Sequence, residues 1–190
     1  MRTLPLDNFR SPAALLRFAG VTVVGLALDL WTKWLAVQHI KSPTYPDGPN
    51  RTIEFIPGWL HWEYTQNHGA VFGIGQGQRV LFLAVSVGAI AFLTWLFAAS
   101  GRQRWYQVIL GMLLAGVLGN MYDRIEYGYV RDMIHALPRW PRLFPWIFNV
   151  ADCMLCVGVF LMIVYSLFAA PRDASIRATP EPVTPTGAET

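Results

Sequence analysis

The sequence predicts an all-α integral membrane protein, with four transmembrane helices and a small β-rich extracytoplasmic cradle in the first loop. Three observations predict it. Hydrophobic residues make up 54% of the 190 and charged residues only 14%, a balance too apolar for a soluble domain of this size. Four long apolar runs, near 13–37, 80–100, 105–122 and 147–169, each have the length to span a bilayer. The polar residues on and beside those runs are gathered rather than scattered. If the chain threads up and down, Asp29, Lys33, Asn120, Asp123, Arg124, Asp132, Asn149 and Asp152 all fall at one membrane face. Charge near hydrocarbon is costly, so such a cluster reads as a functional site.

In the first run, Arg10 and Arg17 precede the apolar stretch and Gly25-Leu26-Ala27 resembles a small-residue cleavage site, as in a signal peptide. Asp29 and Lys33 follow at once and three later spans embed the chain, so the run reads as a retained helix. In Asp29-Leu30-Trp31-Thr32-Lys33, opposite charges four residues apart share one helical face. That spacing suits an ion pair that orients the helix, or a substrate contact.

Residues 38–78 form the first large excursion. A turn-rich stretch over 42–50 leads into alternation, with Ile53 and Phe55 opposing Thr52 and Glu54, and Leu60, Trp62 and Tyr64 opposing Trp59, His61 and Glu63. Period two predicts short strands split by Pro57-Gly58. Asn67-His68-Gly69-Ala70-Val71-Phe72-Gly73 then sets small residues beside an amide and a ring, permitting a tight turn and close approach of a ligand backbone. His68 has no His or Cys partner at metal spacing, so no metal and no cofactor are expected.

The third run carries Gly111, Ala115 and Gly119, a stripe of small residues that lets another helix pack closely. It ends in Gly119-Asn120-Met121-Tyr122-Asp123-Arg124, where three-and-four spacing stacks Asn120, Asp123 and Arg124 on one face. Residues 123–146 are aromatic and basic, suiting a loop at headgroup level. In the fourth run Cys153 and Cys156 form C-x-x-C inside an apolar stretch, which favours packed free thiols over a redox pair. Residues 1–170 read as one membrane domain. The stretch 171–190, rich in Pro, Thr, Ala and Glu, reads as a disordered cytoplasmic tail.

The net charge of +3 calls for no nucleic-acid partner. Orientation is not set by counting basic residues. Arg2, Arg10, Arg17, Arg102, Arg104, Arg172 and Arg177 on one side balance Lys41, Arg51, Arg79, Arg124, Arg131, Arg139 and Arg142 on the other. The short Gly101-Arg102-Gln103-Arg104 link leans toward a cytoplasmic position, with both termini inside.

Gly128-Tyr129-Val130-Arg131-Asp132-Met133-Ile134 and Phe148-Asn149-Val150-Ala151-Asp152 each present an aspartate at one membrane level. Two carboxylates in a low-dielectric site can share a proton, one acting as base on a water while the other donates to a carbonyl oxygen. The alternative is that each is separately salt-bridged.

Together these strings resemble the lipoprotein signal peptidase family, the type II signal peptidases of bacteria, over roughly 17–168. D-L-W-T-K resembles the family's D-x-x-x-K element, N-H-G-A-V-F-G its N-x-G-A-x-F element, and G-N-M-Y-D-R its G-N-x-x-D-R element. G-Y-V-R-D-M-I and F-N-V-A-D resemble its two aspartate-bearing elements. Any one is a common short string, but five in order on four spans are not. The resemblance implies an aspartic endopeptidase of the inner membrane, with its active site at the outer face. It would act on diacylglyceryl-modified prolipoproteins in the lipid, cutting before the lipidated cysteine. Asp132 and Asp152 would be the catalytic pair, and Asp29, Lys33, Asn67, Asn120, Arg124 and Asn149 would bind substrate or shape the site. Asp123 would hold Arg124 or a neighbouring loop. One departure is Arg131-Asp132-Met133, where the family often has an apolar residue and Phe around the aspartate; an adjacent Arg is expected to lower the carboxyl pKa.

Two rival classes share some of these features. A small proton-coupled transporter would favour charges at the midplane and repeated halves. An inactive prolipoprotein-binding paralogue would not need both Asp132 and Asp152.

Overall fold

The computed structural model describes residues 6–40, 51–69 and 75–168. A short 3-10 helix, Leu6–Arg10, leads into α1, Pro12–His39. The Ser11 side chain caps α1 by accepting the Ala14 N–H, and Pro12 occupies the first turn, where a missing N–H costs nothing. Three further helices follow: α2, Arg79–Ala99; α3, Arg104–Glu126; and α4, Val150–Phe168. All four are long and apolar enough to cross a membrane. The centre is α3, whose most apolar window is 56% buried, against 28% for α1 and 11% for α2 and α4.

Small residues give α3 that place. A methyl on Gly111 would lie 2.5 Å from the Phe18 carbonyl oxygen, so α1 crosses there almost backbone to backbone. One turn on, Ala115 faces Gly25 of α1, and Gly119 leaves the space that the Asp29 carboxylate fills. Gly116 does the same for α4, opposite the Ala151 carbonyl and Leu155. On the other flank, Phe18 stacks on Phe97 of α2 at 4.2 Å above Leu93, Leu110 and Leu113. The end of the bundle near the α2–α3 link is closed by a buried polar set. Asn8 donates to the Phe97 carbonyl and Ser100 Oγ, each at 2.9 Å, and Arg17 donates to Gln107 at 2.8 Å, which donates in turn to the Gly101 carbonyl.

At the other end lies a four-stranded antiparallel sheet in chain order: β1, Ile53–Ile56; β2, Leu60–Asn67; β3, Val130–Ala136; and β4, Ile147–Phe148. The β1–β2 turn uses Gly58 at φ +73°, a conformation natural only to glycine. Trp62 pairs with Ile53 on one side and Ile134 on the other. Tyr64 and Met133 pack on Ala36 and Ile40 at the end of α1, which seats the sheet on the bundle.

The sheet corrects three expectations. Residues 123–146 are not simply a loop: Asp123 to Glu126 complete α3, and Val130–Ala136 is a strand beside β2. Its first four residues are all buried, so no apolar–polar alternation betrays it. Ile147 and Phe148 pair with β3, so the fourth span begins at Val150 rather than 147. The second strand also runs past Tyr64 to Asn67. The cysteines are free, but Cys156 is exposed on the outside of the bundle and only Cys153 is partly packed. The turn-rich 42–50, Ala70 to Gly73 of the glycine string, and 171–190 lie outside the described residues.

The α1–α3 crossing yields a test. Gly111→Ala drives a methyl into the Phe18 carbonyl and should lower stability by about 1–3 kcal/mol. Gly88→Ala on α2, where nothing lies within 4 Å of the added carbon, should be neutral or slightly stabilising. Thermal melts of both variants in detergent check the contrast.

Candidate active site

The site is built on a buried charge cluster. Lys33 is fully buried and sits 2.8 Å from Asp29 and 3.2 Å from Asp123, both equally buried. Its ammonium also reaches the Asn120 side-chain oxygen at 3.1 Å and the Gly119 carbonyl at 3.4 Å. Asp29 accepts the Ala151 N–H at 2.8 Å with its other oxygen, tying α1 to the first turn of α4. Asp123 accepts three bonds from Arg131: the backbone N–H at 2.9 Å, Nε at 3.1 Å and Nη2 at 2.7 Å. Of the two partners expected for Asp123, the structure gives it the segment after α3, not Arg124.

Above this cluster two asparagines link two carboxylates. The Asn149 side chain donates to Asp132 Oδ1 at 2.5 Å and to Asn120 Oδ1 at 3.2 Å. Asn120 donates to Asp152 Oδ1 at 2.8 Å. Asn149 and Asp152 also cap α4 reciprocally: the Asp152 N–H donates to Asn149 Oδ1 at 3.0 Å and the Asn149 N–H to Asp152 Oδ2 at 3.2 Å. Asn67, at the end of β2, donates to Asp132 Oδ2 at 3.0 Å while its own oxygen takes the Gly69 N–H at 2.9 Å. Arg124 donates to the Gly69 carbonyl at 2.8 Å and lies 5.0 Å over the Phe82 ring.

All eight residues expected at the site thus converge, together with Asp123. They differ in access. Asp29, Lys33 and Asn149 are fully buried, whereas Asp152, Asn67 and Arg124 are half-buried. The side chains of Asp29 and Lys33 have no access to solvent. His68 is exposed beside Tyr129, and no group of three or more His, Cys, Asp or Glu suited to a metal occurs among the described residues.

Burial, reinforced by the neighbouring Asp152 charge, pushes the Asp132 carboxyl up to about 7. The expected lowering by Arg131 does not occur, because adjacent residues on a strand point to opposite faces and the Arg131 guanidinium is committed to Asp123. Arg131 is also the participant that sequence reasoning left out of the site. Its signal was a charged residue directly before Asp132, inside a segment read as loop.

The family model described as signal peptidase (SPase) II matches residues 21–168. The chain belongs to that family. Its relatives include the lipoprotein signal peptidase of Listeria monocytogenes serotype 4a, 34% identical over 146 residues, covering 76% of this chain and 89% of the relative. Those of Enterococcus faecalis and Rhodopirellula baltica are also 34% identical, covering 76% and 78% of this chain and 84% and 70% of theirs. Two bacterial membrane enzymes solved by the in meso method share the fold. One, at 2.3 Å resolution, has a TM-score of 0.65 and 29% identity, covering 77% of this chain and 85% of its own. The other, at 1.9 Å, has a TM-score of 0.63 and 27% identity, covering 79% and 92%. As a member of the signal peptidase II family the chain is a protease and a multi-pass bacterial membrane protein.

The Asp132 environment makes stability depend on pH. The folded protein holds this proton up to about 7, whereas an unfolded carboxyl releases it near 3.8. Between those values the folded state binds more protons, so this group's contribution falls as pH rises. Asp132→Asn should flatten the loss of thermal stability between about pH 4 and pH 8. Melting curves of parent and variant across that range measure the slope.

Proposed function

We propose that this chain is an aspartic endopeptidase that removes the signal peptide from diacylglyceryl-modified prolipoproteins, cutting before the lipidated cysteine. The observation that carries the reading is the pair of carboxylates, Asp132 on a strand and Asp152 in the first turn of a helix, joined through the amides of Asn120 and Asn149. Their surroundings separate their roles. Burial keeps a proton on Asp132, which suits it to act as the acid and leaves Asp152 to act as the base. In the proposed reaction Asp152 takes a proton from a water as its oxygen attacks the scissile carbonyl, and Asp132 gives its proton to the carbonyl oxygen. Collapse of the tetrahedral intermediate returns that proton to Asp132 and breaks the C–N bond, and the amine leaves with the proton held by Asp152.

The substrate explains the place. A diacylglyceryl group stays in the bilayer, so the chemistry must come to the headgroup level. The sheet exposes Phe55, Ile56 and Trp59, apolar groups suited to lie on a membrane surface, and it offers a cradle to an extended peptide. Asn67 and Arg124, half-buried at the mouth, would bind peptide backbone or headgroup. Asp29, Lys33, Asn120 and Asn149 would hold the pair in place. In this reading the enzyme lies in the inner membrane, with the site at the outer face and both termini cytoplasmic.

Cleavage assays on a diacylglyceryl-modified prolipoprotein and its unlipidated precursor test the reading. The parent should cut only the first. Asp132→Asn and Asp152→Asn should each lower turnover by several orders of magnitude, with the double variant little worse because the two act as a unit. Substantial turnover by either folded single variant would remove the aspartic mechanism. Arg124→Ala should weaken substrate binding while sparing proton transfer, seen as a rise in KM larger than the fall in kcat.

A further inference from the structure

Arg131 is 6% exposed, and its guanidinium is held from two sides. Asp123 of α3 takes Nε and Nη2, and the Tyr127 ring lies 4.4 Å below the guanidinium carbon. Tyr64 of β2 also acts on it electrostatically, and the Tyr64 hydroxyl bonds that of Tyr129 at 3.4 Å. The Arg131 N–H also goes to Asp123, so side chain and backbone both fasten β3 to α3 at the residue before Asp132. The buried charges then balance: Asp29 and Asp123 against Lys33 and Arg131.

We propose that Arg131 is a positioning residue for the catalytic pair: by neutralising Asp123 and pinning β3 to α3 it fixes the Asp132 carboxylate and leaves the Lys33 charge acting on the pair. The inference rests on the reading that Asp132 and Asp152 do the chemistry. Without Arg131, Lys33 alone would face two buried aspartates, and the cluster beneath the pair would carry a net negative charge. The groups facing Asp132 are Asp152 from α4, Lys33 from α1, Arg124 from α3 and the amides of Asn67 and Asn149. Lys33 draws the Asp132 carboxyl back toward its ionised form, and it does so most when Asp123 is satisfied elsewhere.

The test is the pH–rate profile of the full-length protein in detergent, with kcat and KM separated and folding checked by melting. Arg131→Gln keeps a donor but not the charge. It should lower kcat about tenfold at neutral pH with KM near the parent's, and move the alkaline limb, which reports loss of the Asp132 proton, about half a unit or more to alkaline. Arg131→Lys keeps the charge but not the fork, and its limb should stay at the parent's position. Asp123→Asn leaves the cluster with an excess positive charge and should move the limb the opposite way. Unmoved limbs in both charge variants, whatever the rate, would reduce Arg131 to a structural anchor and overturn the proposal. If one of them fails to fold, the sign of the other's shift decides. An active Asp132→Asn rejects the catalytic reading itself, whereas an inactive one with unmoved limbs in both charge variants rejects this inference alone.

Discussion

A single buried ammonium organises this molecule. Lys33 has no access to solvent, and a charge in that position is tolerable only with ionic partners and further hydrogen bonds around it. It finds them on two helices, Asp29 one turn back on α1 and Asp123 on α3, with Asn120 and the Gly119 carbonyl sharing its third N–H. Breaking such a set by removing one partner costs about 3–5 kcal/mol, more than most single contacts in a membrane bundle. That cost fixes the register of α1 on α3. Glycine at 119 follows from it, because any side chain there would occupy the place of the Asp29 carboxylate. So does the position of α4, whose Ala151 N–H is held by the same aspartate.

The carboxylate pair inherits its geometry from that cluster. Asn120 touches Lys33 with its oxygen and Asp152 with its nitrogen, so the buried charge below and the carboxylate above meet in one amide. Asn149 links the strand-borne Asp132 to the helix-borne Asp152. Amides suit this task because they offer donor and acceptor in one rigid plane without adding charge. An ammonium or guanidinium in their place would favour ionisation of both carboxylates and remove the shared proton on which the proposed mechanism rests.

Much of this was legible in the sequence, and the reasons for the rest are physical. The four spans follow from hydropathy because hydrocarbon leaves the backbone no alternative to helix. The turn at Pro57-Gly58 and the strands beside it follow from period two. Strand β3 was hidden because Val130, Arg131, Asp132 and Met133 are all buried, so the alternation separates two kinds of interior rather than interior from water. The same burial reversed the expectation for Asp132: residues adjacent in sequence lie on opposite faces, and Arg131 spends its charge on Asp123. Asn149 and Asp152 could have been read as a reciprocal cap from their spacing alone, which would have started α4 at Val150.

The two ends of the bundle show why buried polarity alone does not mark a site. Near the α2–α3 link, Asn8, Ser100, Gln107 and the Arg17 side chain satisfy one another and the chain carbonyls beside them. That set closes the end of the bundle. At the sheet end, the fully buried members are just as well satisfied, but Asp152, Asn67 and Arg124 keep part of their surface open. In the proposed reading, polar groups fixed from behind with part of their surface open meet a substrate without first giving up their own partners. The buried cluster bears the desolvation, and the half-exposed layer above it keeps access to solvent.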